Sequence, residues 1–140
     1  MNALEGIWRL VESRAWDANG KELAAPYGRE PLGELMFRGG RMLAAVCKDD
    51  PDFRPGESRG YNSYGGPYTF DGRTLVTHVD MASDPQRVGG QQVRDVAFAG
   101  ADTMVMYPPQ RAYEGAVERR ELKWERVWGQ ATASSGKHPM

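Results

Sequence analysis

His78 and Arg94 are the two residues of this chain best equipped for chemistry, because they are polar strand residues in a set, drawn from neighbouring strands, that is otherwise rich in Val, Phe and Met. The imidazole is the side chain whose ordinary pKa lies nearest neutrality, so His78 could move a proton or orient a ligand. Period-two alternation puts Val76 and Asp80 on its face and Thr77 and Val79 on the other; a histidine bonded to a strand neighbour, or lying at a rim, satisfies the same pattern. An arginine facing an interior requires a carboxylate or a bound anion, so Arg94 reads either as a ligand anchor or as half of a structural salt bridge. Tyr64 and Tyr68 add phenol hydroxyls, and with His78 and Arg94 the hydroxyl of Tyr68 makes up a candidate catalytic set in which Arg94 or Tyr68 stabilises oxyanion charge. Glu12 and Arg14 alternate with Trp8 and Leu10 and point inward if Trp8 does, unless a bulge in the strand frees them to solvent. Phe37, Met42, Phe70, Met104 and Met106 supply adaptable apolar lining or plain core.

Other chemistries find little support. One histidine in a strand and a single cysteine fall short of a three- or four-ligand metal set. No Gly-x-Ser-x-Gly elbow occurs, and Cys47 has no base near it in sequence. Gly39-Gly40 and Gly65-Gly66 lack the P-loop lysine and the dinucleotide fingerprint and read as turns. No metal or cofactor is expected.

The elements that must position these residues are short strands. Apolar alternation marks Leu4 to Trp16, Glu34 to Arg38, Arg41 to Lys48, Gly66 to Phe70, Thr74 to Met81, Gln91 to Phe98 and Thr103 to Tyr107. Gly39-Gly40 and Asp71-Gly72 suit tight hairpins, and Gly100-Ala101-Asp102 gives a third turn. Val117 to Trp128 fits a helical face in part, but Leu122, Trp124, Arg126 and Trp128 fit period two at least as well, and an eighth strand there can pair with the first and remove the sheet's edges. Lys21 to Gly33 predicts a long loop over one mouth, and Asp49 to Ser63 an irregular segment with room for one helical turn. The expected fold is all-β, an eight-stranded antiparallel up-and-down barrel with a central cavity, spanning residues 1–129 and followed by a disordered tail, 130–140, that holds His138. Trp8 and Arg126 are expected to stack at the closed end as a cation–π pair.

Composition agrees with one such domain. Apolar residues make up 40% of the 140 and charged residues 26%, while 17 glycines and 9 prolines favour many short elements. Net charge is −1, with no basic stripe interleaved with aromatics, which argues against nucleic acid. A lone cysteine, no apolar run of membrane-spanning length and no signal-like start point to the cytoplasm and away from a membrane.

Several pieces in order carry a family resemblance: Gly6-Ile7-Trp8-Arg9-Leu10-Val11, Tyr27-Gly28 with Pro31-Leu32-Gly33, Gly40-Arg41-Met42, Tyr64-Gly65-Gly66-Pro67-Tyr68-Thr69, Val76-Thr77-His78-Val79, Pro85 with Val88-Gly89, Val93-Arg94, and Trp124-Glu125-Arg126. Together they resemble the lipocalin-like domain family of small bacterial and fungal proteins. The segment between Cys47 and Tyr64 is shorter and more polar than a helical lid needs, and Pro67 stands where a smaller residue is usual. The resemblance implies a barrel with a lined cavity, and barrels of this shape include cofactor-independent isomerases and cyclases of natural-product pathways. Three readings follow. The first is binding of a small, partly apolar ligand oriented by Arg94, His78 and a tyrosine; the second is cofactor-independent isomerisation or cyclisation of a small carbonyl compound; the third is a barrel whose outer face serves a partner or a homodimer.

Overall fold

The computed structural model describes residues 2–48, 52, 54–57, 60–108, 111–113 and 116–129. Its strands are β1 (Gly6–Trp16), β2 (Glu22–Leu23), β3 (Leu32–Arg38), β4 (Arg41–Cys47), β5 (Asn62–Phe70), β6 (Thr74–His78), β7 (Met81–Ala82), β8 (Gln91–Phe98), β9 (Thr103–Tyr107), β10 (Arg111–Tyr113) and β11 (Ala116–Trp128), with a 3-10 turn at Pro85–Arg87. Eight of them, β1, β3, β4, β5, β6, β8, β9 and β11, follow one another round an antiparallel barrel, which β11 closes by pairing with β1. Val117 to Trp128 is thus strand, as its period-two residues predict. The expected tail and His138 lie outside the described residues.

Turn chemistry sets the registers. Arg38 and Arg41 are paired across Gly39-Gly40, whose φ angles of 61° and 79° are those of the left-handed region that a two-residue hairpin demands. At the β5–β6 turn the Asp71 carboxylate accepts the backbone N–H groups of Arg73 and Thr74 at 2.8 and 2.6 Å. The turn at Gly100 to Asp102 joins β8 to β9, with the Ala99 N–H bonded to the Thr103 carbonyl.

Two irregularities correct the simple alternation. Register slips between Leu10 and Glu12 against β11, which is a bulge at Val11. Inward residues are therefore Trp8 and Leu10 before it and Ser13 and Ala15 after it, and Glu12 is exposed. β5 also begins earlier than expected, at Asn62, and pairs first with β7 at Tyr64 and Gly65, then with β6 from Tyr68 onward. Between those partners Gly66 takes φ +155°, and a Cβ there would run into the His78 carbonyl. The expected single strand from Thr74 to Met81 is accordingly split, the Val79 and Asp80 amides turning to Gly90 and Gly65.

The inward side chains fill the two ends differently. At one end Trp8, Phe37, Met42, Tyr68 and Met104 are buried, with Phe98 packed against them. Phe37 meets Tyr68 edge to face at 5.1 Å, and Trp8 lies 6.4 Å from Phe98. The N-terminal segment covers this end: Leu4 is fully buried and its carbonyl accepts the Trp8 indole N–H at 2.9 Å. Towards the other end the filling residues shrink to Ala44 and Val46, and a cavity remains.

Candidate functional site

A pocket of about 320 Å³ opens at that second end. Its floor is apolar, made by Leu35, Ala44, Val46, Met106, Leu122 and Trp124, and its wall and rim are polar, made by Tyr27, Asn62, Tyr64, Arg87, Gln92, Arg94 and Arg120. The floor comes from alternation: Leu35 and Ala44 are register partners, Ala44 faces Tyr64, and Met106 lies between Val96 and Leu122. The rim comes from two loops and from the starts of β5 and β8. Tyr27, in the long first loop, is tied down by its backbone N–H to Ser13 Oγ at 3.1 Å, and its hydroxyl accepts from Asn62 Nδ2 at 3.4 Å. The Asp84 carboxylate caps the 3-10 turn through the Gln86 N–H at 3.0 Å, and that turn delivers Arg87. The Arg87 guanidinium stacks 4.5 Å from the Tyr64 ring centroid and donates to Asn62 Oδ1 at 2.5 Å.

Arg94 enters from β8 beside Leu75. It donates to its neighbour's carbonyl, that of Val93, at 2.9 Å. With the Gln92 carboxamide turned so that its oxygen faces its donors, that oxygen accepts from Arg94 at 2.9 Å and from Arg87 as well. Burial, which disfavours the charged form, holds Arg94 below the ordinary guanidinium pKa; nearby Tyr64 opposes that, and the like charges of Arg120 and Arg87 reinforce it. Among the described residues the pocket is lined by three guanidinium groups and no carboxylate. Trp124 Nε1 and Thr77 Oγ1, both buried, have no hydrogen-bond partner among those residues, so the interior retains unmet polar capacity.

Of the residues expected at a ligand, Tyr64, Arg94 and Met106 line this pocket. His78 does not: β6 turns Leu75 and Thr77 inward, and the exposed imidazole meets Gln91 Nε2 at 3.4 Å on the outer face. Arg14 is likewise outside, because the Val11 bulge reverses the strand's faces; it pairs with Glu22 at 2.8 Å and lies 4.9 Å from the Trp16 ring. Glu12 is exposed for the same reason. Tyr68 belongs to the packed end, where Asn2 Nδ2 donates to its hydroxyl at 3.0 Å and burial raises its pKa. Phe37, Met42, Phe70 and Met104 are filling there, Phe70 edge-on to Phe98 at 6.2 Å. Arg87, Asn62, Gln92 and Tyr27, which do line the pocket, had no signal in alternation. Asn62 and Gln92 are polar residues at strand starts, and Tyr27 and Arg87 sit in loops among Pro and Gly.

An eight-stranded up-and-down barrel, filled at one end and hollow at the other, is a barrel of the lipocalin class. The chain belongs to the lipocalin-like domain family, whose model matches residues 5–129. No curated protein matches it. Among solved structures it is similar to a redesigned β-barrel, at 11% identity over 89% of this chain and 91% of that one with a TM-score of 0.45. It is also similar to an uncharacterized protein from Bacteroides eggerthii, at 14% identity over 88% of this chain and 98% of the other, with a TM-score of 0.46. No helix among the described residues is long and apolar enough to cross a membrane.

Proposed function

We propose that this barrel binds a small, partly apolar molecule in the pocket between Arg94 and Trp124. The observation that carries the reading is the division of the pocket itself: an apolar floor beneath a wall and rim of polar side chains offers separate places for the two parts of such a molecule, and 320 Å³ suits a small occupant. The ligand's apolar part rests on Leu35, Val46, Met106 and Leu122, and its polar end meets Arg94, Tyr64 and the rim. The isomerase or cyclase alternative needs His78 beside the ligand, and the outward imidazole does not favour it.

Filling the floor tests the site. Ala44 is buried with its side chain in the pocket, so Ala44→Leu should leave the barrel folded and abolish retention of any small molecule seen with the wild-type protein by native mass spectrometry. Equal retention by the two proteins would place the ligand elsewhere. Arg94→Leu should weaken the same ligand by about 1.5–3 kcal/mol, the range for hydrogen bonds to a charged group.

A further inference from the structure

The charge of the pocket's wall specifies the charge of its occupant. Arg94 is half-buried, and its described hydrogen bonds end on two neutral oxygens, the Val93 carbonyl and the Gln92 carboxamide. Arg87 is in the same position: Asn62, the Tyr64 ring and the shared Gln92 oxygen are its described partners, all uncharged. Two guanidinium groups thus converge on one planar, sp2 oxygen acceptor that carries no charge. A half-covered cation whose described partners are all neutral has given up hydration without gaining a counter-charge from them, and a second cation beside it raises that cost. A carboxylate removes the cost, and its planar oxygens match the guanidinium fork better than any neutral acceptor does. The apolar floor below suits a hydrocarbon part, which a bare inorganic ion lacks.

We infer that the ligand is a small organic acid whose carboxylate sits against Arg94 and Arg87 beside Gln92, with its hydrocarbon part on the floor formed by Met106 and Trp124. This rests on the pocket being the ligand site and adds the chemical class of what fills it.

The test compares octanoate with octanamide, equal in length and shape and different in charge, by calorimetric titration. Wild-type protein should bind octanoate at least ~10-fold more tightly, as charge-assisted hydrogen bonds predict. Arg94→Leu and Arg87→Leu should each bring the two affinities to within about twofold. Gln92→Glu supplies the missing carboxylate from the protein itself, so it should raise the denaturation midpoint without ligand and erase the preference for octanoate. Two probes binding equally well would overturn the acid while leaving the pocket as the site. Neither probe binding would overturn both. Should the arginine variants fail to fold, Gln92→Glu decides alone: an unchanged or lowered midpoint means that the guanidinium pair does not want for an anion.

Discussion

Arg126 lies 4.2 Å from the centroid of the Trp8 ring and at the same time donates to the carbonyls of Ala3, Glu5 and Ala101 and to Asp102. Its side chain is 3% exposed and that of Asp102 is 63% exposed, so the ion pair faces water on one side only. The ring and the backbone oxygens therefore carry most of the contribution, since a carboxylate left in solvent gains little from its partner. Arg126→Ala should lower stability to urea by about 3 kcal/mol, the range for stranding buried hydrogen-bonding groups and losing a stacked cation. Asp102→Asn should cost about 0–1 kcal/mol, and similar losses in the two variants would refute this division. This pair is legible in the sequence because a tryptophan on the first long strand and an arginine on the last stand opposite each other once those strands close the ring. Arg94 is legible as a cation on a strand face that continues with Val96 and Phe98. The direction of His78 is not, because Val76 and His78 on one face and Leu75 and Thr77 on the other are equally plausible inner sets until the partner strands choose.

Among the elements, alternation locates the eight barrel strands but not their faults. A bulge in β1 is one of the two readings the sequence allows, but its place at Val11 is silent because both faces of the strand carry apolar residues, Ile7 and Val11 on one and Trp8 and Leu10 on the other. The early start of β5 is silent because Asn62 and Ser63 are polar. Gly66 is the residue on which the change of partner from β7 to β6 turns, and Gly66→Ala should be destabilising by several kcal/mol, roughly the sum of a left-handed φ on a side chain and a displaced backbone carbonyl. A midpoint equal to wild type in urea would show that β5 can bend elsewhere. The β5–β6 hairpin carries a pH signature. Hydrogen bonds from the Thr74 and Arg73 amides hold the Asp71 carboxyl below its ordinary pKa, so the charged form is favoured by folding. That contribution is complete above the unfolded carboxylate range, near pH 4, and disappears as pH falls through the lower folded value. Asp71→Asn should therefore differ from wild type in thermal midpoint at pH 6 and converge with it in acid; a gap that persists at pH 2 would mean the turn depends on shape rather than charge.

At the scale of the molecule, the two ends of the barrel divide the work. Large aromatic side chains and the N-terminal segment fill one end and hold the ring rigid; small residues at Ala44 and Val46 leave room at the other, where loops bring Arg87 and Tyr27 to the rim. The ring itself closes through its most extensive pairing, the one between β1 and β11 from Ile7 with Trp128 to Trp16 with Arg119. That seam joins the first long strand to the last. During synthesis every other neighbour in the barrel can meet as the chain emerges, but β1 must wait for β11, with its edge amides open and the Trp8 and Leu10 side chains uncovered in the meantime. Non-local pairing of this kind makes folding slow and leaves partly made chains prone to associate through open edges. A ribosome stalled before Trp124 would hold a curved, sticky sheet rather than a smaller barrel, so the health of the newborn chain depends on finishing its last strand promptly.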